Sequence, residues 1–321
     1  MPKKALAHHG PRQRQHFWMV VLLIFAAGSG GLHATEGGGT SKAVGVDTVM
    51  TGVMPPPGLR LTTFASYYQA GKTLDGAGNE RRGLSNFDLT AEALTLRVQY
   101  VWPGVELLGA NVETRVGLTA YLKSEVSFDV QTPVGPLRRK GSVESGGDML
   151  LAPVLLGYRG ETFHQTTGLQ LFLPTGSFNA SALANPGRGY RAIGAVYNAT
   201  WLPNPETELN ISANYLVNSR NPDTNYTSGR EASIDYGAGY KLHPTLQVGA
   251  SGYLYKQVTN DEQNGQKFSD GNRGQALAIG PFVRYRPNDK WGIVFKWQHE
   301  TKVENRASGN RFFLQFATTL F

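Results

Sequence analysis

The sequence predicts an all-β protein, namely a transmembrane antiparallel up-and-down β-barrel of about twelve strands. Stretches of about ten to fourteen residues alternate between apolar and polar side chains, and the connections between them alternate between short and long. Successive side chains of a strand point to opposite faces, and strands of about this length cross a bilayer when tilted. The chain also stops on the aromatic residue Phe321. Together these features are typical of barrels in bacterial outer membranes.

The clearest alternation lies in the strand that begins at Lys290. Its apolar face carries Trp291, Ile293, Phe295 and Trp297, and its polar face carries Lys290, Gly292, Lys296 and Gln298. Residues 208–217 show the same pattern. The apolar faces are predicted to contact lipid, because a charge there at mid-membrane costs about 2–4 kcal/mol. The last strand departs from this pattern: its more apolar face consists of Phe312, Leu314, Phe316 and Leu320, and a bulge would be needed to bring Phe321 onto it.

Twelve predicted strands are separated by connections of two kinds. The strands cover residues 59–70, 89–102, 111–123, 148–158, 163–173, 190–201, 207–218, 230–241, 245–257, 274–286, 290–301 and 310–321. The short connections are 159–162, 202–206, 242–244, 287–289 and a somewhat longer one around Trp102-Pro103-Gly104; the long ones are 71–88, 124–147, 174–189, 219–229, 258–273 and 302–309. This alternation predicts short periplasmic turns and long external loops.

Composition excludes several classes of protein. The chain has 321 residues, no cysteine, 39 glycines, 11% aromatic residues and only 17% charged residues. Without cysteine there is no thiolate metal site, no disulfide and no cysteine nucleophile. The net charge of +7 is largely a property of the first 34 residues, which hold four basic residues and no acid. The remainder is nearly balanced, so we expect no nucleic-acid partner.

The amino-terminal region is predicted to direct export. Residues 1–16 are basic and polar, Phe17–Ala27 are apolar, and small residues follow up to Ala34. This order is typical of a secretory signal peptide, and the apolar core is too short for a transmembrane helix. The predicted organisation is therefore a signal peptide (1–34), a Gly/Pro-rich arm (35–58) and an outer-membrane barrel (59–321). The arm is either a disordered terminus or a plug in the barrel mouth.

Several motifs carry a resemblance to a known family. They are Glu36 before Gly37–Gly39, Gly52 shortly before Pro55–Gly58, the pair Tyr67-Tyr68, Trp102–Gly104, and Asp148–Pro153. In these features the chain resembles the outer-membrane family named for the meta-cleavage pathway of phenol degradation. The resemblance implies a transporter of hydrophobic or aromatic compounds.

Side-chain parity predicts which groups face the lumen. The candidates are Arg97, Gln99, Glu113, Arg115, Asp148, Asn198, Asp235, Tyr253, Tyr255, Arg284 and Lys296. These acids and bases either pair in a stiff interior or surround a ligand, because buried charges require partners. In the fourth strand Leu151, Pro153 and Leu155 are expected to point inward with Asp148 and to make part of the lumen apolar. The flat rings of Tyr253 and Tyr255 suit an aromatic guest.

A barrel of twelve strands predicts a selective route. Eight strands are filled by side chains, and sixteen or more leave an aqueous channel. We therefore expect passive uptake of small hydrophobic compounds between weak binding sites. The alternative is a structural or surface-interaction barrel with a packed lumen. The expected partners are outer-membrane lipids, a small hydrophobic ligand, and the barrel-assembly machinery, which would bind the terminal Phe321.

An outer-membrane hydrolase is the remaining alternative. Such an enzyme needs a serine and a histidine within hydrogen-bond reach. After the predicted signal peptide the chain has only His164, His243 and His299, and none lies in a recognisable hydrolase signature. The glycine run lacks the lysine of a phosphate loop, and no histidine or carboxylate cluster has metal-ligand spacing. The sequence therefore predicts no enzyme, no metal site and no cofactor.

Overall fold

The computed structural model describes Glu36 and residues 39–321. The described residues belong to the compact unit His33–Phe321, the second of the two units of the chain. The predicted signal peptide, Gly37 and Gly38 lie outside the described residues, so the architecture below belongs to the second unit. Over the described ranges, no helix is long and apolar enough to span a membrane.

Sixteen strands form the described unit. They are β1 (Gly58–Thr73), β2 (Leu84–Leu107), β3 (Ala110–Thr132), β4 (Gly135–Ser145), β5 (Met149–Arg159), β6 (Phe163–Leu173), β7 (Ala192–Trp201), β8 (Thr207–Asn218), β9 (Tyr226–Thr227), β10 (Glu231–His243), β11 (Leu246–Gln257), β12 (Glu262–Gln263), β13 (Gln266–Lys267), β14 (Gln275–Tyr285), β15 (Trp291–Glu304) and β16 (Ala307–Thr319).

Twelve of these strands close into a ring. Its order is β1, β2, β3, β5, β6, β7, β8, β10, β11, β14, β15 and β16, and β16 pairs again with β1. Every pairing is antiparallel. Closure satisfies the backbone groups that an open edge would expose to lipid. The predicted all-β barrel is confirmed, and its strands begin at Gly58.

The connections give the barrel two different ends. At one end, here the short-turn end, they cover only residues 108–109, 160–162, 202–206, 244–245 and 286–290. At the other, the long-loop end, they cover 74–83, 174–191, 219–230 and 258–274, and the small strands β9, β12 and β13 pair there. The connections therefore alternate between short and long, as predicted, along most of the chain. In barrels of this kind the short turns are periplasmic.

Three predicted connections differ in the structure. Residues 124–147 are not a loop: β3 continues to Thr132 and pairs with β4, a thirteenth strand outside the ring. Residues 302–309 are also largely strand, with a turn at 305–306 where Asn305 has a φ of 51°. Trp102–Gly104 lie inside β2, and the turn follows at Leu108 and Gly109, whose φ values are 55° and 74°. Two consecutive positive φ values suit the tight twist of a two-residue hairpin.

The two faces of the wall follow the predicted parity. On β8 the inward residues Glu208, Asn210, Ser212 and Asn214 are at most 5% exposed, and the outward residues Leu209, Ile211, Tyr215 and Val217 are 36–43% exposed. On β16 Phe313 is buried, whereas Leu314 and Phe316 are exposed. The register of β16 with β15 is continuous from Asn310 to Thr318, so no bulge changes its faces there.

The face assignment makes a prediction about stability. Ile211→Arg places a charge on the outer face near the middle of β8 and should lower the free energy of unfolding by about 2–4 kcal/mol. Leu242→Arg, beside the short turn at 244–245, is the control and should cost about 0–1 kcal/mol. Urea unfolding in phospholipid vesicles measures both. Equal losses for the two variants would contradict the assignment of the lipid-facing surface.

Candidate functional site

The arm contacts both ends of the barrel. At the long-loop end the Glu36 N–H donates to Ser228 Oγ at 3.2 Å, and Asn221 Nδ2 donates to a Glu36 carboxylate oxygen at 2.7 Å. At the short-turn end Arg159 Nη2 donates to the Met54 carbonyl at 2.9 Å. The intervening arm residues bind side chains that face inward from the wall. The arm therefore passes through the lumen.

Asp235 is the central anchor of the arm. Its carboxylate is fully buried and accepts three hydrogen bonds from arm residues. The donors are the Gly45 N–H at 2.8 Å, the Asp47 N–H at 3.1 Å and Lys42 Nζ at 2.9 Å. Hydrogen bonds to a charged group contribute about 1.5–3 kcal/mol each. One wall carboxylate thus fixes a complete turn of the arm.

Lys296 binds the same turn as a hydrogen-bond donor, whereas Asp235 binds it as an acceptor. Its ammonium group is fully buried and donates to the carbonyls of Gly45 at 3.1 Å and Val46 at 2.6 Å, and to Thr48 Oγ1 at 3.3 Å. The ammonium also lies 4.9 Å from the centre of the Phe313 ring. An ammonium has three donors and no acceptor, so these contacts use its hydrogen-bonding capacity. Wall acids hold the amides of the arm, and a wall base holds its carbonyls.

Two arm glycines make the close fit possible. Gly45 has a φ of 79°, and a Cβ there would overlap the Gln298 side chain. Gly52 packs so tightly against the wall that a Cβ would meet backbone atoms of His164 and Thr200. Only glycine adopts the first conformation readily and leaves room at the second position. Glycine is therefore required for the fit between the arm and the wall at both Gly45 and Gly52.

A second charged contact joins the arm to the side of β2. Arg97 Nη1 lies 2.8 Å from Asp47 Oδ1, and Lys42 Nζ lies 3.5 Å from Asp47 Oδ2. Arg97 belongs to β2, whereas Asp235 belongs to β10 across the ring order. The arm is consequently held from two sides of the barrel.

Glu208 anchors the arm nearer the short-turn end. Its carboxylate accepts from the Met50 N–H at 2.8 Å, from Arg284 Nη1 at 2.8 Å, from Asn210 Nδ2 at 2.7 Å and from Gln247 Nε2 at 3.0 Å. A buried carboxylate with this many donors is well compensated for its loss of hydration. The arrangement ties three wall strands and the arm together.

Below Glu208 the arm ends in an apolar contact. Met54 packs in a buried cluster with Val101, Ala152, Leu155 and Val196.

Beside this cluster is a separate wall network, made of residues predicted to face the lumen. Arg115 Nε lies 2.7 Å from Glu113 Oε1, and Gln99 Nε2 donates to the same oxygen at 3.1 Å.

The two tyrosines predicted to meet an aromatic guest are instead covered by the arm. Tyr253 and Tyr255 are 1% and 3% exposed and pack in a cluster with Val44 of the arm. The Tyr253 hydroxyl donates to Glu300. With the arm in place, these rings are part of the packed interior and are not accessible to a ligand.

In the fourth predicted strand, the prediction that Leu151, Pro153 and Leu155 all point inward was wrong. Of its three expected inward residues only Leu155 is fully buried, and Pro153 is exposed. The register of β5 with β6 shifts between Leu151 and Leu155, so side-chain parity does not carry through. Asp148 lies before β5, where its carboxylate accepts from the N–H groups of Gly176 at 3.0 Å and Arg188 at 2.8 Å. Burial raises the pKa of Asp148, and these two hydrogen bonds oppose the rise.

The remaining candidates lie where parity places them. Asn198 on β7 is 3% exposed, and Asp235, Arg284 and Lys296 face the lumen in the contacts described above. The structure thus brings most of the predicted set into the interior. It divides that set among the Asp235, Glu208 and Glu113 networks, which are spaced along the arm.

A cavity of about 310 Å³ lies at the long-loop end, between the start of the arm and the wall. One side is formed by arm residues from Gly39 to Ala43, and the other by β1, β2 and β3. Its wall includes apolar side chains and three arginines, among them Tyr68, Leu89, Leu122, Arg188, Arg306 and Arg311. Its volume lies at the lower end of the range of small-molecule sites, about 300–1,000 Å³.

Sequence analysis missed the arginines of this cavity. Arg306 lies in a predicted connection and occupies the turn between β15 and β16, where side-chain parity does not report that its side chain is buried. Arg311 lies on the same face of β16 as the buried Phe313. Its alternation with Phe312 and Leu314, which lie on the outer face, could have identified it as an inward residue. The arm's own charged residues, Lys42 and Asp47, were missed because their partners lie on distant strands.

Comparison with solved structures establishes likeness in fold. An outer membrane channel from Pseudomonas putida F1 has a TM-score of 0.68 at 13% identity, with 87% of this chain and 100% of that chain covered. The NanC porin has a TM-score of 0.43 at 10% identity, covering 81% and 100%. A FadL homologue from Pseudomonas aeruginosa has a TM-score of 0.41 at 10% identity, covering 92% and 97%. A comparison with curated proteins gives no match.

A family model described as "Putative MetA-pathway of phenol degradation" matches residues 69–316. The match covers most of the ring, from β1 to β16, and confirms the predicted family. It includes the motifs Trp102–Gly104 and Asp148–Pro153 and begins after the motifs at the start of the chain. With its closed antiparallel ring and lipid-facing outer surface, this chain is an outer-membrane β-barrel and belongs to that phenol-degradation family.

Proposed function

We propose that the protein is a substrate-selective outer-membrane channel whose lumen is closed by its own arm, and that it admits small compounds with hydrophobic or aromatic bodies. The observation that carries the proposal is the arm's course through the lumen on polar contacts to Asp235, Lys296 and Glu208. The strands of the ring contain no residue before Gly58, so release of the arm would leave the pairing of the ring intact around a polar lumen.

The nature of the arm contacts supports a gate. Between Lys42 and Gly52 the arm binds chiefly through hydrogen bonds and ion pairs, which water can replace when the arm leaves. An arm buried by a large apolar surface would have no such alternative. The closed state is therefore favoured by specific contacts without being an inseparable part of the core.

Two lines of support point to the class of compound. The family description refers to phenol degradation. The cavity at the long-loop end offers Tyr68, Leu89 and Leu122 beside its charged groups. A volume of about 310 Å³ limits the guest to a small molecule. Passage would be passive, from one weak site to the next.

A structural barrel with a packed lumen is the second candidate. The observation in its favour is the completeness of the Asp235 and Glu208 networks, since partnered buried charges make a stiff interior. A permanently docked arm would fit this function. The two candidates differ in one property, namely whether weakening the arm contacts opens a conducting path.

The histidines give little support to a hydrolase. His243 Nδ1 lies 3.0 Å from Thr245 Oγ1, and His299 Nδ1 lies 3.0 Å from Asn310 Oδ1. His164 is buried, and its Nδ1 has no hydrogen-bond partner. A nucleophilic site needs a serine in contact with one of them. None of the hydrogen bonds found among the described residues joins a histidine to a serine side chain.

Removing the central anchor should open the channel more often. Asp235→Ala deletes three hydrogen bonds to the arm and leaves Lys42 with a weaker partner, so the closed state loses more than about 1.4 kcal/mol, or tenfold in its equilibrium constant. Single-channel recording in planar bilayers measures the open probability. Asn214→Ala is the matched control, because Asn214 faces the lumen on neighbouring β8 and bonds Ser212 and Gln170, not the arm.

For the proposed gate, Asp235→Ala must raise the open probability at least about tenfold over Asn214→Ala. A heat-modifiable band on electrophoresis shows that each variant is a folded barrel. If both folded variants conduct as the unaltered protein does, the arm is a structural element and the packed-lumen candidate stands.

The class of solute is tested by uptake. Cells with the gene should take up radiolabelled toluene and phenol faster than cells without it, because the outer leaflet slows apolar compounds. A hydrophilic sugar is the control and should enter both strains equally. If the gene changes sugar uptake and leaves the aromatic compounds unaffected, the channel is selective for a different class.

A further inference from the structure

Two arginines of the long-loop cavity differ from the arginines deeper in the lumen. Arg97, Arg115 and Arg284 each lie within 2.8 Å of a carboxylate oxygen. Arg306 is 7% exposed, and its Nη1 is buried without a hydrogen-bond partner. The Nε of Arg311 is likewise buried without a partner. In the part of the chain that the structure describes, neither guanidinium has a carboxylate within salt-bridge distance.

Both guanidiniums lie over tyrosine rings. Arg306 Cζ lies 4.3 Å from the centre of the Tyr255 ring, and Arg311 Cζ lies 4.9 Å from that of Tyr68 and 5.8 Å from that of Tyr253. A guanidinium over an aromatic ring gains cation–π energy and keeps its N–H donors in the guanidinium plane. These contacts fix the positions of the two cations without using their hydrogen-bonding capacity.

The nearest acid is already occupied. Glu300 accepts from the Tyr68 hydroxyl at 2.7 Å, from the Tyr253 hydroxyl and from the Gly309 N–H at 2.9 Å. Its oxygens therefore orient the two tyrosines and the backbone at the start of β16. Among the described residues, Arg306 and Arg311 are left without a carboxylate partner, and both side chains line the cavity.

The charges around the cavity favour an anion. Three arginines line it, against the two carboxylates of Glu92 and Asp148. Asp148 is engaged by the N–H groups of Gly176 and Arg188, and Glu92 is exposed. An anion entering from the long-loop end would thus meet a net positive site.

From these observations we infer that the cavity binds a small organic carboxylate with a single apolar ring, whose carboxylate accepts from Arg306 and Arg311. Guanidinium N–H groups match the geometry of a carboxylate and bind it bidentately. The body of the ligand contacts Tyr68, Leu89 and Leu122, which line the same cavity. The inference rests on the proposed function only for its biological role, since it names the compounds that such a channel would hold at its outer end.

The test is binding to the purified, folded protein with its arm in place. Isothermal titration calorimetry with sodium benzoate should show binding at least about tenfold tighter than with benzyl alcohol, because one charged hydrogen-bonded pair contributes about 1.5–3 kcal/mol. The double variant Arg306→Gln with Arg311→Gln should lose at least tenfold of the benzoate affinity. Arg286→Gln, at the short-turn end, is the control and should bind as the unaltered protein does.

The outcomes separate the carboxylate site from the channel function. Equal affinities for benzoate and benzyl alcohol would remove the role of the arginines, and this comparison needs no variant to fold. Sulfate that binds as tightly as benzoate would show an inorganic anion site. Benzoate binding with no effect of Asp235→Ala on conductance would leave the carboxylate site standing and reject the channel. Conductance changes without benzoate binding would do the reverse.

Discussion

The buried contact between the Asp235 carboxylate and the arm is the interaction on which the interior depends. An ionised carboxylate inside a barrel is costly unless it is fully hydrogen-bonded. Here the arm supplies two backbone N–H groups and Lys42, and Asp47 of the same turn meets Arg97 on the other side. The wall and the arm therefore neutralise each other's charges. Neither would have these partners in the absence of the other.

This dependence follows from the architecture of the wall. A closed ring in lipid must turn its apolar side chains outward, so its polar residues are concentrated in a narrow lumen. Twelve strands enclose more space than their own side chains fill, and a segment of chain rich in glycine can occupy the remainder. Polar anchoring then keeps this segment in one register while leaving water able to replace it. At the long-loop end the arm fills less of the space, and the cavity with Arg306 and Arg311 remains.

The wall could be predicted from the sequence because lipid imposes a strict rule on it. Charge is costly on one face of every strand, so the alternation around Trp291 and Leu209 reports strands and faces together. The hairpin of β3 and β4 escaped prediction, since Val126 and Phe128 alternate among polar residues outside the pattern of the ring. The pairing of the lumen charges also escaped. Parity shows that a side chain such as Asp235 points inward, but its partner belongs to a segment about 190 residues away.

The dynamics of the arm give the most direct test of this description. Hydrogen exchange by mass spectrometry measures the protection of the arm amides that donate hydrogen bonds to Asp235 and Glu208, including those of Gly45 and Met50. A docked but releasable arm predicts exchange slower than in an unstructured peptide and faster than in strands β8 and β10, because the arm opens without unfolding the wall. Exchange as fast as in an unstructured peptide would show that the arm is not held in the lumen. Exchange as slow as in β8 and β10 would show that the arm leaves only when the barrel unfolds, which would contradict its role as a gate.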